Sequence, residues 1–325
     1  MREGVEDKVR SISINVKRPG LRAMHPSKQV FRSESQKRQT TLQAAWVAPE
    51  MFESGIVRAH VYPLRPVSRK KWDALLTVSF PMPLEGSGGE PVVRRFGAVL
   101  NASAEIVSGF NRTVTLEPAS AETTASPTVT FVERVELEPG DYSLTTVLAD
   151  PKEVRPHATK VNLVVPEVPR GELFLVEPIL SRPSGPNLVI YGKDDPQARD
   201  DTVGSERSFE PLLVTQLPPG EDLVALSQVC RLGRSRRSDP RQVERSVKRA
   251  DGAAVGTLPP VPIALEGEDK VRCQSLVDVL PGRALAGGEY VYEAQLGSGD
   301  GQGAAKLRFS ITDEPFSEES VDPGD

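Results

Sequence analysis

Apolar residues alternate with polar ones over residues 8–22, near the start of this chain. Ile12, Ile14 and Val16 fall on one face and Ser13, Asn15 and Lys17 on the other. That period of two predicts a half-buried strand, stopped by Pro19-Gly20. Residues 25–40 are polar and basic, with Lys28, Arg32, Lys37 and Arg38, and read as a linker or extended arm. From about residue 41 short strand patterns follow one another. They are Leu75–Phe80, Phe96–Leu100, Glu105–Phe110, Thr113–Leu116, Thr128–Leu137, Tyr142–Leu148 and Lys160–Val165. Pro81-Met82-Pro83, Gly86–Gly89 and Pro118-Ala119-Ser120 punctuate them. No amphipathic helix intervenes, which points to a sandwich of antiparallel sheets and away from βαβ units.

Pro166-Glu167-Val168-Pro169-Arg170-Gly171 ends one apolar strand just before Glu172–Val176 begins the next, and is the expected domain boundary. The second half repeats the style of the first, with strand patterns at Asn187–Tyr191, Pro211–Leu217, Leu223–Leu232, Lys270–Leu280, Tyr290–Leu296 and Lys306–Ile311. The last residues carry only acidic charge and no apolar pattern, which predicts a disordered tail. The chain therefore divides into an N-terminal strand and basic linker (1–40), two domains (41–168 and 169–313) and the tail (314–325). The expected fold is all-β: two tandem immunoglobulin-like, Greek-key β-sandwich domains.

One internal repeat supports two similar domains. Leu137-Glu138-Pro139-Gly140-Asp141-Tyr142 corresponds to Leu285-Ala286-Gly287-Gly288-Glu289-Tyr290, each just before a late strand of its half. Gly140 and Gly288 supply the backbone freedom a tight turn needs. Tyr142 and Tyr290 then enter the strand with the ring inward and the hydroxyl free to bond backbone across the corner, as in a tyrosine corner.

Composition sharpens this picture. A chain of 325 residues suits two domains. Proline (29) outnumbers glycine (26), which is hostile to long helices. The net charge of −5 is too small to imply wholesale disorder. No apolar run approaches the ~18 residues that span a bilayer. The N-terminal residues Met1–Lys8 are charged and lack the apolar core of a signal peptide, so the chain read literally stays in the cytoplasm, or else a leader lies upstream. Cys230 and Cys273 both sit in strand patterns. One reading is an intradomain disulfide, worth about 4 kcal/mol on the chain-entropy model. The other is two buried free thiols.

Little in the sequence points to catalysis. His25, His60 and His157 have no second histidine at metal-ligand spacing, and paired C-x₂-C motifs are missing. No nucleophile elbow, P-loop or dinucleotide fingerprint occurs. Asp141-Tyr142-Ser143-Leu144-Thr145 fits the opening D-x-S-x-T of an adhesion-type metal site, but the aspartate starts a strand after Pro139-Gly140, and a turn explains it better. No catalytic, cofactor or metal site is expected. Arg231, Arg234, Arg236, Arg237, Arg241, Arg245, Lys248 and Arg249 form a basic segment. It lacks aromatic residues for base stacking. A solvated loop and edge strand is therefore the favoured reading, and nucleic-acid binding the alternative.

Ser11-Ile12-Ser13-Ile14-Asn15-Val16-Lys17-Arg18-Pro19-Gly20-Leu21-Arg22 resembles the segment that follows the von Willebrand factor A domain in the VWFA-related proteins of Acidobacteria and similar bacteria. Leu137–Asp150 and Val164-Val165-Pro166 resemble the sandwich region further downstream. The resemblance implies the C-terminal part of such a protein, without the A domain and its metal motif. It implies an extracytoplasmic (periplasmic or secreted) location and a non-catalytic structural or protein-interaction role, with a protein as partner.

Overall fold

The computed structural model describes residues 8–11, 14, 17, 28–31, 33–83, 91–103, 105–118, 128–150, 155–183, 188–191, 209–213, 216–217, 219–233, 242–265, 270–297 and 303–312. The acidic tail and residues 234–241 of the basic segment lie outside them. Near the N-terminus, β1 (Lys8–Ser11) pairs antiparallel with β2 (Lys28–Phe31). Within the alternating stretch at residues 8–22 the described strand is thus Lys8–Ser11. Ile14 lies beyond β1 and is 51% exposed, while Ile12 and Val16 are outside the described residues.

The stretch read as a polar arm, residues 25–40, runs into a helix, α1 (Glu34–Val47), that continues past its end. Ser33 caps it: its hydroxyl accepts from the Gln36 amide at 3.2 Å. Glu34 favours the first turn and pairs with Lys37 at 2.7 Å. A short 3₁₀ turn follows at Pro49–Phe52. The apolar period is weak because Ala45 is the helix's one buried residue, with Leu42 and Trp46 partly buried beside it.

Seven strands build the first sandwich: β3 (Arg58–Ser68), β4 (Lys71–Pro81), β5 (Val92–Ala102), β6 (Glu105–Leu116), β7 (Thr128–Leu137), β8 (Gly140–Ala149) and β9 (His157–Val165). β3-β4-β7 form one sheet and β6-β5-β8-β9 the other. Alternation assigns the faces. On β4, Trp72, Ala74, Leu76, Val78 and Phe80 are buried in the core between the sheets. Phe96 meets Phe80 and Phe131 at centroid distances of 5.3 and 5.5 Å, and Phe110 meets Phe131 at 4.4 Å. Four strands of both sheets thus share one aromatic cluster.

The chain continues through β10 (Leu173–Leu175), β11 (Ile179–Pro183), β12 (Leu188–Tyr191), β13 (Phe209–Pro211), β14 (Gln216–Leu217), β15 (Leu223–Leu232), β16 (Gln242–Arg249), β17 (Ala254–Pro262), β18 (Val271–Leu280), β19 (Gly288–Leu296) and β20 (Ala304–Ile311). β10 and β11 lie end to end along one side of β15, and β18 lies along the other. β17-β16-β19-β20 form the facing sheet. If β10 and β11 count as one broken strand, both sandwiches follow one plan. Strands one, two and five share a sheet, and four, three, six and seven share the other. The molecule is an all-β protein of β-sandwiches.

The long connection between β11 and β15 departs from tandem order. Its β12 leaves the second sandwich and pairs in parallel with β7 of the first, Leu188 to Tyr191 beside Val129 to Val132.

Candidate functional site

The two glycine–tyrosine turns have matching geometry. Gly140 and Gly288 hold φ of +154° and +146°, values that side chains with a Cβ rarely adopt. Tyr142 then donates its hydroxyl to the Glu138 carbonyl at 2.7 Å, and Tyr290 donates to the Ala286 carbonyl at 2.6 Å. Each bond reaches back four residues across the corner into β8 or β19. Both rings are buried. Asp141, beside the first corner, is exposed and shares a face with Ser143. Both line a shallow depression with Asn101, Ser103 and Asn162. Among the described residues, no three His, Cys, Asp or Glu side chains gather as metal ligands.

Cys230 on β15 faces Cys273 on β18 as a direct cross-strand pair, and their sulfurs are bonded at 2.07 Å. The bridge therefore lies within one sheet. Alternation puts it on the outer face, because Leu223, Ala225 and Val229 of β15 fill the core of the second sandwich. Outer residues are ordinarily solvated, yet Cys230 is fully buried. The first sandwich covers it. Cys230 and Leu232 belong to the same apolar cluster as Trp72, Val61 and Leu137, with Phe174, Val271 and Cys273 packed alongside.

The boundary segment is built into this seam. The Trp72 indole N–H donates to the Pro166 carbonyl at 2.7 Å, and the ring meets Phe174 edge-on at 6.0 Å. Val168 is buried in the same cluster. The Gly171 amide donates to the Leu232 carbonyl at 2.9 Å. Further along, the Tyr62 hydroxyl on β3 donates to the Leu212 carbonyl at 3.3 Å. Burial, reinforced by the nearby Glu177 carboxylate, pushes the Tyr62 phenol up, so it remains a donor at any working pH.

The second sandwich holds a polar group that sequence reading assigned to the surface. Arg245, on β16, is 6% exposed and points into the core. Its guanidinium pairs with Asp278 of β18 and donates to the Pro259 carbonyl of β17. The Tyr292 hydroxyl of β19 donates to the other Asp278 oxygen at 2.6 Å. Burial, then the Asp278 carboxylate, pushes the Tyr292 phenol up. Both carboxylate oxygens are thereby satisfied, and the network ties one sheet to the other. Alternation on β16 carried the signal: Val243, Arg245 and Val247 share a face.

The basic segment is correspondingly thinner as a surface. Arg245 is withdrawn into the core, and Lys248 pairs with Glu293 at 2.6 Å. Arg234, Arg236, Arg237 and Arg241 lie outside the described residues. Of the histidines, His60 is partly buried on β3 with its ring 4.4 Å from Tyr62. His157 hydrogen-bonds Ser54 at 2.9 Å, and His25 lies outside the described residues. No helix is long and apolar enough to cross a membrane among the described residues.

No family model and no curated protein matches this chain. Among solved structures it is similar to red sea bream transglutaminase, at 11% identity and a TM-score of 0.24, over 85% of this chain and 34% of that one. It is also similar to β-glucuronidase from Bifidobacterium dentium, at 10% identity and a TM-score of 0.22, over 79% of this chain and 48% of that one. The chain thus spans between a third and a half of those proteins' lengths.

Proposed function

We propose that this chain is a non-catalytic structural or protein-interaction module, in which two immunoglobulin-like sandwiches act as one stiff body. The observation that carries this reading is the seam. Trp72, Phe174, Val176, Cys230 and Leu232, from both sandwiches, share one apolar cluster. Interfaces between domains of a chain are often polar and mobile; a continuous apolar one resists hinge motion. A stiff body holds whatever flanks it at a set distance and presents its outer faces in a set orientation.

The module belongs, on this proposal, to a VWFA-related bacterial protein and works outside the cytoplasm. The motifs at Ser11–Arg22 and Leu137–Asp150 support the first part. The Cys230–Cys273 bridge supports the second, since structural disulfides persist in oxidising compartments. Two measurements test the reading. Small-angle scattering should give the profile of one rigid particle; a profile that needs an ensemble of interdomain angles would count against it. Non-reducing peptide mapping of protein from its native source should recover Cys230 and Cys273 linked. Recovery of both as free thiols there would remove the extracytoplasmic part.

A further inference from the structure

A sheet edge exposes a row of unpaired backbone donors and acceptors, so edge strands are ordinarily short, irregular, charged or covered. Most edges among the described residues are of this kind. β3 carries Pro63 and Pro66 and two irregularities against β4. β17 carries Pro259, Pro260 and Pro262 and is likewise irregular against β16. β6 carries Glu105, Arg112 and a register shift against β5. β9 carries Lys160 and bridges Glu53 through Ala158. β20 carries Lys306 and Arg308 and is partly covered by β14.

Among the described residues, β18 has none of these protections. It runs ten residues and pairs with β15 in continuous register, and no other described strand lies beside it. It contains neither proline nor glycine. Its charged residues, Arg272 and Asp278, alternate onto the core side, and Asp278 is buried there. The outward face of its free stretch is Ser275, Val277 and Val279. Val277 and Val279 are 50% and 53% exposed. The described residues that follow β17 are held at Gln274, whose side-chain amide donates to the Pro262 carbonyl and accepts from the Ala264 amide. The fifth strand of the first sandwich, β7, offers the matching edge, and there a strand has been added: β12.

The geometry points to a second copy of this chain as the occupant of the β18 edge, in an antiparallel β18–β18 pair about a twofold axis. Pairing centred on Val277 sets the two Val277 side chains opposite each other and each Val279 opposite the other copy's Ser275. Directly opposed residues then share a face, as a ladder requires, and no like charges meet. The contact is self-complementary. With one such edge among the described residues of each chain, it closes as a dimer and does not propagate. It involves the second sandwich alone and stands whether or not the molecule serves as a spacer.

Sedimentation equilibrium of the full chain, from about 1 to about 300 micromolar, tests this against the affinities usual for small contacts. A concentration-dependent monomer–dimer equilibrium is expected. Val277→Lys and Val279→Lys should each weaken it by about tenfold or more, with unchanged circular dichroism. Val277→Cys should form a covalent dimer on mild oxidation, while Val107→Cys, exposed elsewhere, should not; this decides the matter should the lysine variants fail to fold. A chain that stays monomeric throughout, as it would if a segment of its own covered the edge, overturns the proposal. So does a dimer that both lysine variants leave intact, or a Val277→Cys chain that cross-links no faster than Val107→Cys.

Discussion

Tyr142 and Tyr290 each tie a buried ring to a carbonyl four residues back, and each follows a glycine at positive φ. Removing only the hydroxyl strands a buried acceptor, so Tyr142→Phe and Tyr290→Phe should each lose about 0.5–1.5 kcal/mol in urea denaturation. Asp278 is a harsher case. Asp278→Ala leaves the Arg245 cation buried and unpaired, and should cost about 3–5 kcal/mol. Replacing the three side chains together, as Arg245→Met with Asp278→Leu and Tyr292→Phe, should recover most of that loss, because the apolar side chains need no compensation and the buried Tyr292 hydroxyl goes with its acceptor. Such a recovery would mark the pair as an inter-sheet tie more than a net source of stability. His60 gives a pH signature. Burial holds its imidazole below the ordinary 6.5, so the unfolded chain takes up its proton at a higher pH than the folded chain does. The stability it contributes is complete above that value and drains away as pH falls through 6.5 toward the depressed folded value. The urea midpoint should therefore fall more between pH 7 and 5 in the wild type than in His60→Gln.

At the scale of elements, many strands were legible, but β3, β11, β16 and β17 were not, nor was the helix. β15 runs over Leu223–Leu232, the same residues its apolar pattern marks, and β18 differs from its pattern by one residue. These strands are buried on the core side, so alternation records their environment directly. α1 buries so little that its sequence carries no apolar stripe. Its signals were local: Ser33 three residues before Gln36, and Pro49 after the last turn. What holds it lies far away in the chain. The Trp46 ring rests on Gly97, where an added Cβ would stand 3.1 Å from the ring and 2.8 Å from the Phe110 carbonyl. Gly97→Ala should therefore lift the helix from the outer face of the β5–β8–β9 sheet. The expected readout is a red-shifted Trp46 emission in a Trp72→Phe background, together with faster amide exchange over residues 34–47. An unchanged spectrum and exchange pattern would show that the sheet accommodates the methyl group.

For the whole molecule, Pro166–Gly171 reads in sequence as a domain boundary, and the structure builds it into the seam between the sandwiches. The difference lies in contacts between residues distant in sequence. Nothing local to Trp72 announces that its N–H will hold Pro166 and its ring meet Phe174. Nor does strand patterning reveal that the outer face of β15 is covered. The same limit hid β12, whose Leu-Val-Ile-Tyr pattern marks a strand but not the sheet it joins. The Arg245 network was half legible, since its alternation was visible but its partner on β18 was not. The central claim, that the two sandwiches behave as one body through the seam, is tested most directly by differential scanning calorimetry of the intact chain. One transition is predicted, with calorimetric and van't Hoff enthalpies in agreement, splitting into two in Trp72→Ala/Phe174→Ala. Two separate transitions in the wild-type chain would contradict it.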